Sequence, residues 1–218
     1  MTVRLAPGAR RTRYTGSGLI RALAALDAVD APAPKGAFAE TLSRWFDWTD
    51  AISLSAGLNT PPPAASPSNP IADERECARV RAALARSVGV VPEDATADAA
   101  ACRSHYQARQ QAMDAAVGPL RRRLRASLAG ASPASARLAA VDAVMEQVIG
   151  AQERALLSTV PRRLERHLER LRLSHPDAWP AVLREDLQAV LLAELDHRWL
   201  PVEALLAALR RSASSSPT

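Results

Sequence analysis

Three groups of side chains have the types and spacing that chemistry requires. Cys102 and His105 stand three residues apart, so on a helix they share one side as a thiolate and imidazole pair, and Cys77 would join them if its helix packs alongside. A structural zinc site wants four ligands in paired spacings, and neither a CxxC nor an HxxxH pair supplies the rest. The three read as two small buried thiols and a surface histidine, with no metal and no cofactor. Asp186, Glu194, Asp196 and His197 bring acid and base groups to one C-terminal helix. No GxSxG turn, phosphate loop or dinucleotide fingerprint accompanies them, so they read as a solvated helical face and the chain is expected not to be an enzyme.

The third group is basic. Arg121, Arg122, Arg123 and Arg125 fall on the side of a helix opposite Leu120 and Leu124, which predicts one exposed positive surface just past Gly118-Pro119. Arg162, Arg163, Arg166, Arg170 and Arg172 are interleaved with Glu165 and Glu169 and are partly neutralised by them. The first cluster is therefore the better phosphate candidate, able to bind nucleic acid or anionic lipid by charge alone and with steep salt dependence. Such residues more often form a solvated face or meet an acidic protein partner. Of the 28 basic residues all but Lys35 are arginine, in company with much Ala and Pro, as a GC-rich genome tends to supply; the 23 acidic residues dilute the field further.

These groups must be positioned by helices. With 48% hydrophobic and only 4% aromatic residues among 218, the apolar content being mostly Ala, Leu and Val, the chain supports helix and argues against sheet. Gln110, Met113, Val117, Leu120, Leu124 and Leu128 recur at steps of three and four, then Leu138, Val141, Met145, Val148, Gln152, Leu157, Val160, Leu164, Leu168 and Leu171 do the same beyond the turn at 130–133. That predicts an antiparallel, coiled-coil-like hairpin whose arms start at Thr96 and Ser132, with kinks or short interruptions at Gly118-Pro119 and Pro161. The same seam serves pairing within one chain or a homo-oligomer. Two C-terminal helices follow, about 180–197 and from Pro201.

Upstream, residues 1–16 read as a flexible arm and 17–59 as an N-terminal two-helix module. Residues 60–70 form a proline-rich linker, 71–211 the hairpin with its packing helices, and 212–218 a disordered tail. The second helix of the module, 38–58, carries Phe38, Leu42, Trp45, Thr49, Ile52 and Ala56 on one stripe that Trp48 widens, with Glu40, Arg44, Asp47 and Asp50 opposite. Trp45, Phe46 and Trp48 are expected mainly to fill the core of the module, because aromatics bury the most area. Part of the cluster is also the candidate partner-binding site, with Phe46 at the edge of the stripe best placed for exposure. The longest apolar run, 187–195, is broken by Gln188 and Glu194, and the apolar segment after Arg10, Arg11 and Arg13 is interrupted by Arg21 and Asp27. Neither a membrane span nor a signal peptide is expected, and the default compartment is the cytoplasm.

Phe38-Ala39-Glu40, Leu42, Trp45, Trp48-Thr49-Asp50-Ala51-Ile52, Leu54-Ser55-Ala56 and Leu58-Asn59 together resemble the N-terminal signature of a proteobacterial family of uncharacterised all-helical proteins, a domain of unknown function. The resemblance continues through 76–81, 108–110 and 186–192 and so covers most of the chain. It implies no activity and no catalytic residue. The family's members are encoded near membrane-anchored, coiled-coil and peptidoglycan-binding envelope proteins of the motor-stator type, which implies a cytoplasmic accessory to an envelope-associated complex.

The reading at this stage is an all-α interaction or assembly protein with a protein partner. The alternative is a sequence-independent nucleic-acid binder using Arg121, Arg122, Arg123 and Arg125.

Overall fold

The computed structural model describes residues 18–27, 45, 48–59 and 70–214. The expectations for the arm at 1–16, for linker residues 60–69 and for Phe38, Leu42 and Phe46 lie outside the described residues. Seven α-helices are described: α1 Gly18–Leu26, α2 Trp48–Asn59, α3 Pro70–Val88, α4 Ala99–Ala129, α5 Pro133–Leu157, α6 Val160–Ser174 and α7 Trp179–Ser214, with one 3-10 turn at Asp94–Thr96. No strand occurs among the described residues, so the fold is all-α.

Helix α4 follows its sequence closely. Cys102, Tyr106, Met113, Val117, Leu120, Leu124 and Leu128 are buried at the predicted steps of three and four. Its cap is Asp98, not Thr96: the Asp98 carboxylate accepts from the Ala101 N–H at 2.7 Å. The chain tightens into the 3-10 turn first, and there Thr96 is buried and its hydroxyl donates to the Glu93 carbonyl at 3.1 Å. Ser132 caps α5 as expected, accepting from the Ser135 N–H at 3.1 Å with Pro133 at the first helical position. Ser132→Ala should therefore cost about 1 kcal/mol, visible as a lower urea midpoint with an unchanged slope.

Beyond the turn the second arm is interrupted next to Pro161, as expected. It parts at Ser158 and Thr159, leaving Pro161 in the first turn of α6, where a missing N–H costs little. Its seam departs from prediction in part: Val148 is buried as read, but Leu138 and Val141 are exposed while Ala139 and Val144 are buried. Helix α5 is covered by α4 and also by α2, so its burial does not follow a single stripe. Conversely, no interruption occurs at Pro119, and the two helices expected on either side of Pro201 are one. Both prolines sit inside continuous helices, and the tail expected from Ser212 is helical to Ser214.

Helix α7 survives its proline because buried side chains hold it on both sides: Leu187, Leu191 and Leu195 before, Val202, Leu205 and Leu209 after. It packs on α4, α1, α3 and α6, and its contact with α4 is the most extensive in the fold. Thus α4 is the centre of the core, packed on α7 as well as on α5 and α6, the two segments of the second arm. The helices expected to form an N-terminal module also part company. Helix α1 packs on α7 and α6, whereas α2 packs on α5. Arginines of α6 hold α1 in place: Arg163 pairs with Asp27 at 2.6 Å, and Arg170 donates to the Leu26 carbonyl at the end of α1, where a cation meets the helix dipole.

Candidate functional site

On α2 the polarity expected of an amphipathic helix is inverted. Asp50, Leu54 and Gly57, at i, i+4 and i+7, face inward, and an added Cβ at Gly57 would meet the Ala140 Cβ at 3.0 Å, so α2 lies close against α5 on a small-residue face. The stripe predicted to be core points outward instead: Trp48 is 79% exposed, Ile52 53% and Trp45 38%. Their spacing of three and four suits one side of a helix, and all three turn large apolar side chains outward. Phe46, the residue judged best placed for exposure, lies outside the described residues, and Trp48 takes that part.

The predicted arginine surface is divided. Arg121 donates through Nε and Nη2 to both carboxylate oxygens of Asp142, at 3.1 and 2.7 Å, and Arg125 bonds Asp142 at 3.0 Å and also pairs with Glu146. These two guanidiniums lie mostly buried between α4 and α5, which crosses on the side the sequence leaves open. Arg123 is half-exposed and 3.4 Å from the buried Asp73, and Arg122 is exposed. The four do not form one exposed positive face.

The acid and base groups of α7 are not a solvated face either. Asp186 meets His167 Nε2 at 2.6 Å and Asp196 pairs with Arg81 at 3.0 Å. Glu194 is wholly buried. Its Oε2 accepts from the Tyr106 hydroxyl at 2.6 Å, while Oε1 accepts from Arg198 Nε at 2.8 Å and Gln110 Nε2 at 3.1 Å. Arg198 pairs in turn with Asp114. Burial, reinforced by the Glu194 charge, pushes the Tyr106 hydroxyl far above its ordinary value and keeps it a donor. Burial works against the Arg198 charge, but Glu194 and Asp114 more than offset it and raise its basicity. The network is satisfied on every side and joins α4 to α7 at the centre of the molecule. Sequence reasoning missed it, although Tyr106 with Gln110 and Glu194 with Arg198, each four apart, are the signal that two helices share a polar layer.

Beside this layer a cleft of about 550 Å³ opens between α4, α5 and α7. Gly118 leaves it room, since a Cβ added there would meet nothing within 4 Å, whereas one at Gly150 would meet the Arg154 guanidinium at 3.3 Å. His197 lines it, 3.7 Å from Glu153. Cys77 and Cys102 are free and buried, and burial pushes each thiol up to about 11, which leaves them unreactive at neutral pH. Burial, with the neighbouring Arg109, lowers His105. Among the described residues no group of three or more His, Cys, Asp or Glu is arranged to hold a metal ion, and no helix is long and apolar enough to cross a membrane.

What fold and surface define together is an all-helical protein built on two long helices, with a charged layer locked inside and an aromatic helix face turned outward. The chain belongs to a family of proteins of unknown function (DUF3348), whose model matches residues 5–211. No curated protein and no solved structure matches it.

Proposed function

We propose that the protein is a non-catalytic interaction or assembly protein that engages a protein partner through the outward face of α2. The observation that carries this reading is the inversion of that helix: Trp45, Trp48 and Ile52 lie outside while Asp50 is buried. Turning two tryptophans to water leaves apolar area unburied, at about 25 cal/mol per Å², and Trp is the residue most enriched where a few side chains dominate binding. A partner offering an apolar groove fits these side chains, and a helix-in-groove contact would read Trp45, Trp48 and Ile52 as anchors three and four apart. The internal cysteines, buried carboxylate and paired arginines take structural parts that require no chemistry on a substrate. An accessory role in a cytoplasmic or envelope-associated assembly is consistent with this mode of action and adds no site of its own.

A photo-cross-linking side chain placed at position 52 in the source cell tests the reading. One discrete heavier species is expected, and Trp48→Glu in the same chain should remove it. A diffuse ladder, or an adduct indifferent to Trp48→Glu, would count against α2 as the docking face. Nucleic-acid binding is the weaker reading, because Asp142 and Glu146 already occupy Arg121 and Arg125.

A further inference from the structure

We propose that the cleft between α4, α5 and α7 binds a small molecule carrying a primary ammonium group on an apolar body. Its volume, about 550 Å³, falls within the range of small-ligand sites. Val117, Met145, Ile149 and Leu157 supply apolar wall, and Gly118 keeps a side chain from filling the space.

The charges of the lining select the ligand. Its buried guanidiniums are already committed: Arg121 to Asp142, and Arg198 to Glu194 and Asp114. Arg154, also in the lining, is exposed and its guanidinium lies over Gly150. An anion could meet Arg154 there, in contact with water that screens the pair, but at the Arg198 end it would have to displace a carboxylate. Around Arg198, by contrast, Glu194, Asp114 and Glu153 set three carboxylates against one guanidinium, all three acting on its charge. Glu153 is the one without a hydrogen-bond donor: its Oε1 is buried and unpartnered, and His197 Nε2 stands at 3.7 Å, too far to donate. An unpartnered buried acceptor costs stability until a donor arrives. An ammonium group brings three donors and the charge this end of the cleft lacks. A bare metal ion does not fit, because these groups are not arranged to coordinate one.

Isothermal titration of the full chain with hexylammonium chloride, and with sodium hexanoate as the control of opposite charge, tests this. Hexylammonium is expected to bind with Kd of about 1 mM, as a ligand of its size allows, and hexanoate to bind more weakly. Glu153→Gln should weaken hexylammonium about tenfold by removing the charge-assisted bond. Gly118→Leu should abolish binding by filling the cleft, and a better helix former at that position favours folding. No heat from hexylammonium up to about 10 mM, equal binding of hexanoate, or an affinity unchanged in both variants would overturn the proposal. Because Trp48 lies outside the cleft, Trp48→Glu should leave hexylammonium binding intact, so failure here and failure of α2 as a docking face are separable.

Discussion

Arg198→Ala should destabilise the protein by about 3–5 kcal/mol, a fall in Tm of about 10 °C for a chain of this size. The cause is what the substitution leaves behind. Glu194 is fully buried, and without the guanidinium its Oε1 keeps only the Gln110 amide at 3.1 Å as a donor, while the charge remains in a low-dielectric core. Asp114, largely exposed, loses a partner too, but it can turn to water and contributes little. Replacing the pair together, with Glu194→Leu and Arg198→Met, should recover part of the loss, because an apolar pair carries no desolvation cost. The Tyr106 hydroxyl and Gln110 amide would then lack their acceptor, which limits the recovery. Thermal unfolding of the single and double variants, followed by circular dichroism, measures both effects. A single variant as stable as the wild type would show that Glu194 does not depend on Arg198.

The second large effect belongs to the seam between α4 and α7. Leu191 is wholly buried on α7, in the same cluster as Tyr106, Met113 and Leu124 of α4. Leu191→Ala removes its transfer free energy and leaves a cavity that these side chains fill only partly, so about 3–5 kcal/mol should be lost. The corresponding change at Leu138, read from sequence as seam but exposed on α5, should cost about 0.5 kcal/mol or less. Urea unfolding of both variants separates the packing described above from the hairpin that periodicity predicts. Equal losses at the two positions would favour the predicted seam.

Periodicity made α4 legible because its buried residues all face one way, and Gln110 belongs to the seam as read, turned to Glu194. It failed in part on α5, which α4 and α2 both cover and where no single stripe describes the burial. Prolines misled for a related reason. Pro119 and Pro201 each remove one helical hydrogen bond, a local cost that the buried leucines on either side outweigh. Glu194 could not be read as core, since a carboxylate in a helix is by default a surface residue and its partners lie far away in sequence. The α2 face was legible as a stripe, but not which side of it would be covered. The choice was made by Gly57 and Ala140, whose small side chains let two helices approach where tryptophans could not.

The docking account stands on α2 contributing its apolar face to contacts outside the chain and little to the fold. Urea unfolding of Trp48→Glu tests that most directly. With Trp48 79% exposed, the midpoint and slope should stay at the wild-type values, within about 0.5 kcal/mol. A loss of several kcal/mol, about 3 or more as for a buried aromatic, would place Trp48 in the core and contradict the account.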